Sequence, residues 1–194
     1  MFTEIDTYVS NCISLTPEET KFFHSLLHPK NIKKKTFLQQ AGEPCGFEAF
    51  IIKGCIKMFY IDENGFEVII HFATENWWVG DIANFSDQKK STLFLEALED
   101  TDVLLISISD KEKLYREVPK FERMFRLMIQ KTHETMMNRL ISTISKPAEE
   151  RYLDFIAKYP SIPQRVPQHL IASYLGISPE FLSKLKAKLT KRKA

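Results

Sequence analysis

The side chains with the plainest chemical use lie near the C-terminal end. Glu180, Ser183, Lys184, Lys186 and Lys188 fall on one side of a predicted helix that begins at Ser178-Pro179. If the start of that helix enters a major groove, Glu180 can accept from a cytosine amino group and Lys184 can reach guanine O6 or N7. Lys186, Lys188, Lys191, Arg192 and Lys193 suit phosphates, which give affinity and salt dependence rather than sequence choice. From Gln164 to Ala194 seven basic residues face the single acid Glu180. That balance of +6 leaves −4 on the rest of a chain whose net charge is +2. A solvated lysine tail would give the same count, so the residues before it have to decide.

Two helices and a turn must present these side chains. Pro167 starts the first helix, Ile171 and Leu175 form its inner face, and Ala172 is small where a second helix crosses closely. Gly176 supplies a left-handed turn residue at almost no steric cost. Ser178 caps the second helix, Pro179 takes its first position, and Leu182, Leu185 and Leu189 form its buried side. An ordinary helical hairpin would also use a glycine turn. A small residue, a glycine turn, a capping serine and a basic second helix together predict a helix-turn-helix that binds double-stranded DNA. Its contact set is Ser178, Pro179, Glu180, Ser183, Lys184, Lys186 and Lys188.

Other chemistry is thinly supplied. Cys12, Cys45 and Cys55 form an odd, widely spaced set without C-x-x-C, which argues against a disulfide framework or a zinc site and fits a reducing compartment. His71 stands in an alternating segment with no second ligand nearby, so a hydrogen-bonded structural histidine is expected rather than a haem or metal ligand. Trp77 and Trp78 could stack on a ligand, with an apolar core corner as the simpler role. Ser183-Lys184-Leu185-Lys186 has the letters of S-x-x-K but lacks S-D-N and K-T-G partners. The predicted strands hold no H-x-H followed by a carboxylate, and there is no phosphate-cradling glycine loop. A protein without catalysis, metal or cofactor is expected.

The body that carries the helix pair has an ordinary globular composition, 44% hydrophobic and 27% charged. Its longest apolar runs, Val103–Ile106 and Leu127–Ile129, fall far short of the ~20 residues of a membrane span. Met1–Ser10 has neither the basic start nor the apolar stretch of a secretory signal, so a cytoplasmic location is expected. Thr16, Pro17 and Glu19 predict a helix over Thr16–His28. Thr36–Gln40, Glu48–Lys53, Cys55–Ile61, Phe66–Phe72, Leu93–Leu98 and Asp102–Ile108 read as strands of a sandwich or barrel. Asp62-Glu63-Asn64-Gly65 predicts a hairpin with Asn64 and Gly65 both at positive φ. Ser109-Asp110-Lys111-Glu112 has a capping-box pattern. Pro119 then opens a helix to about Ile144, striped by Phe121, Phe125, Met128, Thr132, Met136, Leu140 and Ile144. So long a stripe predicts pairing with a second copy of itself. Ser145-Lys146-Pro147 caps a further helix through Ala157, and Ser161-Ile162-Pro163 reads as a connector.

This order of parts resembles the catabolite activator/FNR family of bacterial transcription regulators from about Lys33 to Lys191. The resemblance is carried by Ala41-Gly42-Glu43-Pro44 before a strand, Ile51-Ile52-Lys53-Gly54-Cys55-Ile56-Lys57, the hairpin at Asp62–Gly65 and Gly80-Asp81-Ile82. It implies an α+β chain with a cyclic-nucleotide-binding-like β jelly roll over 1–118, a long dimerisation helix over 119–145 and a C-terminal helix-turn-helix domain over 146–194. It also implies a homodimer, a palindromic duplex target and contact with RNA polymerase. The effector pocket would involve Gly80, Asp81, Ile82, Ser91 and Thr92. Relatives that bind cyclic nucleotides place a glutamate for the ribose where this chain has Asp81, and an arginine for the cyclic phosphate where it has Ser91. A buried phosphate without its charge partner is costly, so an effector other than a standard cyclic nucleotide is expected. The cysteines lack the clustered N-terminal spacing of the oxygen-sensing iron–sulfur members, and buried packing is expected for each. The alternative is a ligand-sensing or protein-interaction module with no specific DNA target.

Overall fold

The computed structural model describes residues 2–82, 84 and 89–191; Arg192 and Lys193 lie outside the described residues. The strands are β1 (His28–Ile32), β2 (Phe37–Gln39), β3 (Phe47–Lys53), β4 (Ile56–Ile61), β5 (Glu67–Ala73), β6 (Trp78–Val79), β7 (Phe94–Ala97) and β8 (Thr101–Ser107). They form two four-stranded sheets in the orders β1-β8-β3-β6 and β2-β7-β4-β5, with antiparallel neighbours throughout. Two interleaved Greek keys of eight strands give this pairing order, and it is that of a jelly roll.

Apolar residues occupy both faces of the central strands for a physical reason. Ala49 and Ile51 of β3 and Val103 of β8 join Ile56, Leu95 and Ala97 between the sheets. Phe50, Leu104 and Ile106 belong to a second core shared with helices on the outside. That outer layer is α1 (Thr3–Ser10), α2 (Pro17–Ser25), α3 (Ile108–Glu117) and the first part of α4 (Lys120–Ser145). The outer face of the other sheet, through Phe59, Ile69 and Phe72, packs on α5 (Ala148–Lys158), α6 (Ile162–Arg165), α7 (Gln168–Leu175) and α8 (Pro179–Lys191). Two sheets are thus enclosed by two helical layers.

Several local expectations hold and several change. Thr16 closes a complete capping box on α2, with Glu19 N–H donating to Thr16 Oγ1 at 3.2 Å and Thr16 N–H to Glu19 Oε2 at 2.8 Å. The helix stops at Ser25 rather than His28, because His28 opens the edge strand β1 against β8. A polar His-Pro-Lys-Asn edge lacks the alternation that marks strands, since these four residues are exposed on both faces. The cap of α3 is Ser107, whose Oγ accepts from Asp110 N–H at 3.0 Å, not Ser109; the helix begins as soon as β8 ends. In the β4–β5 hairpin only Gly65 has positive φ, at 83°. The Asp62 carboxylate accepts from Asn64 and Phe66 N–H at 2.9 Å each, which holds the turn without a left-handed Asn64. Pro147, without a side-chain cap, precedes α5, and the expected connector contains α6.

Helix α4 runs for 26 residues, roughly 39 Å at the α-helical rise. Phe121, Met124, Phe125 and Met128 are buried. Met136, Leu140 and Ile144, farther along the predicted stripe, are exposed.

Candidate nucleic-acid interface and effector cavity

Gly176 ends α7 in the left-handed region, φ 66° and ψ 40°, and its N–H returns to the Ser173 carbonyl at 3.1 Å. Two residues later Ser178 Oγ accepts from Phe181 N–H at 3.1 Å, which caps α8. Ala172 is fully buried where the helices cross, and Leu182 and Leu185 seal the pair. Ser178, Pro179, Glu180, Ser183, Lys184 and Lys188 are consequently exposed together, while Lys186 is half-buried. Glu180 is held below the usual carboxylate range by its own backbone N–H, then by the Ser178 hydroxyl, so it stands as an ionised acceptor. Lys188 donates to Glu149 Oε2 at 2.8 Å, so α5 already engages one of the expected phosphate ligands.

The helix pair is fastened to the jelly roll by groups that sequence reasoning did not single out. Ser173 Oγ donates to the Glu67 carbonyl at 2.8 Å and accepts from Ile69 N–H at 3.1 Å, so one α7 side chain extends the hydrogen bonding of β5. Arg139 of α4 donates to the carbonyls of Ile69 at 3.0 Å, Ile70 and Tyr174 at 2.7 Å, and lies 3.9 Å over the Tyr174 ring. Arg165 forms a bidentate pair with Glu75, both distances 2.8 Å, and a second pair with Glu99. Burial alone would raise Glu75; the Arg165 hydrogen bonds and the Gly54 N–H outweigh it and hold that carboxyl at about 2. These anchors lie 35 to 106 residues from their partners, which is why spacing along the chain gave no sign of them.

A cavity of about 420 Å³ opens between the jelly roll and α4. Met58, Ile70, Trp77, Val79, Leu93 and Met136 give it a mostly apolar wall, and Gly80, Asp81 and Ile82 line it as expected. Asp81 is already satisfied: Ser91 Oγ donates to it at 2.7 Å and Asn84 Nδ2 at 2.9 Å. The two positions expected at the ribose and the phosphate therefore bond to each other. Neither Ser91 nor Thr92 is part of the lining, a correction to the expected set: Ser91 is buried behind Asp81 and Thr92 turns outward to solvent. No lysine or arginine lines the cavity among the described residues, whereas the carboxylates of Glu48 and Asp81 do. His71 also faces it, its ring tilted against that of Trp77 with centroids 4.8 Å apart. The ring makes no hydrogen bond among the described residues, against the expectation of a satisfied histidine. Burial first, then Arg139 and Lys158, pulls its pKa down to about 4, so it stays neutral. The thiols of Cys45 and Cys55 are buried and Cys12 is half-buried; burial pushes Cys55 up to about 12.

Residues 29–117 match the cyclic nucleotide-binding domain. The chain is 26% identical to the transcriptional activator protein anr of Pseudomonas aeruginosa, over 89% of this chain and 75% of that protein. The β-domain thus matches a cyclic nucleotide-binding domain, and the chain as a whole is similar to a transcriptional activator. Its fold is similar to that of the c-di-GMP responsive global regulator CLP of Xanthomonas campestris, with a TM-score of 0.75 at 14% identity, covering 92% of this chain and 93% of that one. It is also similar to FixK2 of Bradyrhizobium japonicum, with a TM-score of 0.74 at 18% identity and 86% of each chain covered. The jelly roll accounts for the cyclic nucleotide-binding match, and α4 joins it to the helix pair. No helix among the described residues is long and apolar enough to cross a membrane.

Proposed function

We propose that the chain is a sequence-specific DNA-binding transcription regulator that acts as a homodimer through the second half of α4. In this reading α7 and α8 form a helix-turn-helix domain within 146–194, and α8 enters the major groove. Glu180, Ser183 and Lys184 read base edges, while Lys186 and Lys188 sit on phosphates. The observation that carries the reading is the joint exposure of Glu180, Ser183, Lys184 and Lys188 on a helix set by a left-handed Gly176 and capped by Ser178. The cavity takes an effector other than a standard cyclic nucleotide, since no described residue of its lining is a cation for the phosphate and Asp81 and Ser91 are spent on each other. Because α4 lines that cavity and also bears the exposed apolar stripe, effector binding would change how the dimer presents its two reading heads.

The test is selection from a pool of random duplexes at two salt concentrations, with sequencing of what is retained. The expected result is a palindrome with half-sites about one helical turn apart. Retention without any enriched sequence, abolished at moderate salt, would reduce α8 to a basic surface.

A further inference from the structure

A second cavity, of about 380 Å³, lies where α4 meets α5 and α7. Arg139, Lys146, Arg151 and Lys158 line it against one acid, Asp154, which Lys146 already holds at 2.6 Å. Arg139, Arg151 and Lys158 form no salt bridge among the described residues. The donors of Arg139 go to three carbonyls, whose dipoles do not cancel its charge, and burial pulls its pKa down. Arg151 gives one N–H to the Thr143 carbonyl at 3.1 Å, while its Nε is buried with no acceptor. The buried Tyr159 hydroxyl, beside the Tyr174 phenol, has no well-formed hydrogen bond either. Buried donors without partners and uncompensated guanidinium charge are both costly, and a bound anion relieves both at once.

We propose that this cavity binds a phosphate monoester with a planar, aromatic-like body. Convergent cations and orphan N–H donors suit a dianionic phosphate, which accepts several charge-assisted hydrogen bonds together. Phe155, Tyr159 and Tyr174 supply aromatic wall for the rest of the molecule, and the volume suits one small ligand. The occupant would touch α4, α5 and α7, the joint between the long helix and the helix pair. The inference rests on this cluster and not on the DNA-binding reading; the other source of the same chemistry is a backbone phosphate of DNA.

The experiment is calorimetric titration of the full chain, without DNA, with phenyl phosphate, inorganic phosphate and phenol. Phenyl phosphate is expected to saturate a single site, inorganic phosphate to bind it more weakly, and phenol not to bind. Arg151→Gln and Lys158→Gln should each weaken phenyl phosphate about tenfold, the scale of a lost charge-assisted hydrogen bond. Lys158 is exposed, so its variant keeps the fold even if that of Arg151 does not. Asp81→Asn, in the other cavity, should leave the affinity unchanged. Equal affinity in both cation variants, or no saturable binding at millimolar phenyl phosphate, overturns the proposal. Equal binding of inorganic and phenyl phosphate overturns the planar body. If phenyl phosphate does not bind while Arg151→Gln lowers the salt slope of DNA binding by about 1, the phosphate is the duplex's and the proposal also fails.

Discussion

The two halves of helix α4 share one apolar periodicity and meet opposite environments. Phe121, Met124, Phe125 and Met128 are buried among Phe23, Leu114 and the outer face of the first sheet. Met136, Leu140 and Ile144 continue the stripe and are 52%, 50% and 78% exposed, with Met137 and Ile141 exposed beside them. On the second half, the chain's own hydrogen bonds come from the side, through Arg139 to β5 and α7 and through Arg151 to the Thr143 carbonyl. Periodicity therefore reports that a helix has an apolar face and is silent on what covers it. A contiguous exposed apolar strip of this kind marks an association surface. The first half is folding core by this criterion, and the second is the seam proposed for the dimer.

The comparison can be broken most directly by truncating the buried half. Phe121→Ala should cost about 3–5 kcal/mol, as for other fully buried phenylalanines, read as a lower urea midpoint. A cost below about 1 kcal/mol would mean that the first half is not core. Next in size, Leu140→Glu combined with Ile144→Glu should leave the urea midpoint of the monomer nearly unchanged but dissociate the dimer. Each apolar side chain kept out of a seam forfeits about 1.5–3 kcal/mol, so sedimentation at micromolar concentration should give monomer. Unfolding of the double variant instead would put those residues in the chain's own core.

The smallest effect concerns the strap that holds the helix pair beside the second half. Glu75 is depressed from 4.5 to about 2 by Arg165, so its contribution is complete above about pH 4.5 and disappears as pH falls through about 2. Glu75 is 38% exposed, which reduces that contribution to about 1 kcal/mol. Arg165→Gln should lower stability by this amount at neutral pH, and the two proteins should converge near pH 2 in urea titrations. A constant difference across that range would show that Arg165 acts by packing alone.

Much of the fold was legible because its signals are local. Thr16-Pro17-Glu19 closes its capping box within four residues, and Gly176-Ile177-Ser178 contains a turn and a cap in three. The candidate DNA-facing set was readable for the same reason: helical spacing alone separates Glu180, Ser183 and Lys184 from Leu182 and Leu185. Edge strand β1 was hidden by its polar composition, and α1, with only Ile5 and Val9 buried, by its brevity. The hairpin was placed correctly and its geometry was not, because the Asp62 side chain takes over the role assigned to a left-handed Asn64.

The sequence by itself determined where most helices and strands run and which face of each is apolar; the family resemblance added that Asp81 and Ser91 stand where a glutamate and an arginine would serve a cyclic nucleotide. Only the tertiary structure decided that Asp81 and Ser91 bond to each other, that Ser173 extends β5, and that Arg139, Arg151 and Lys158 converge on one cavity. The division has a physical cause. Caps, turns and amphipathic faces arise from interactions a few residues apart, whereas the balance of charge and unmet hydrogen bonds in a cavity depends on groups that only folding brings together.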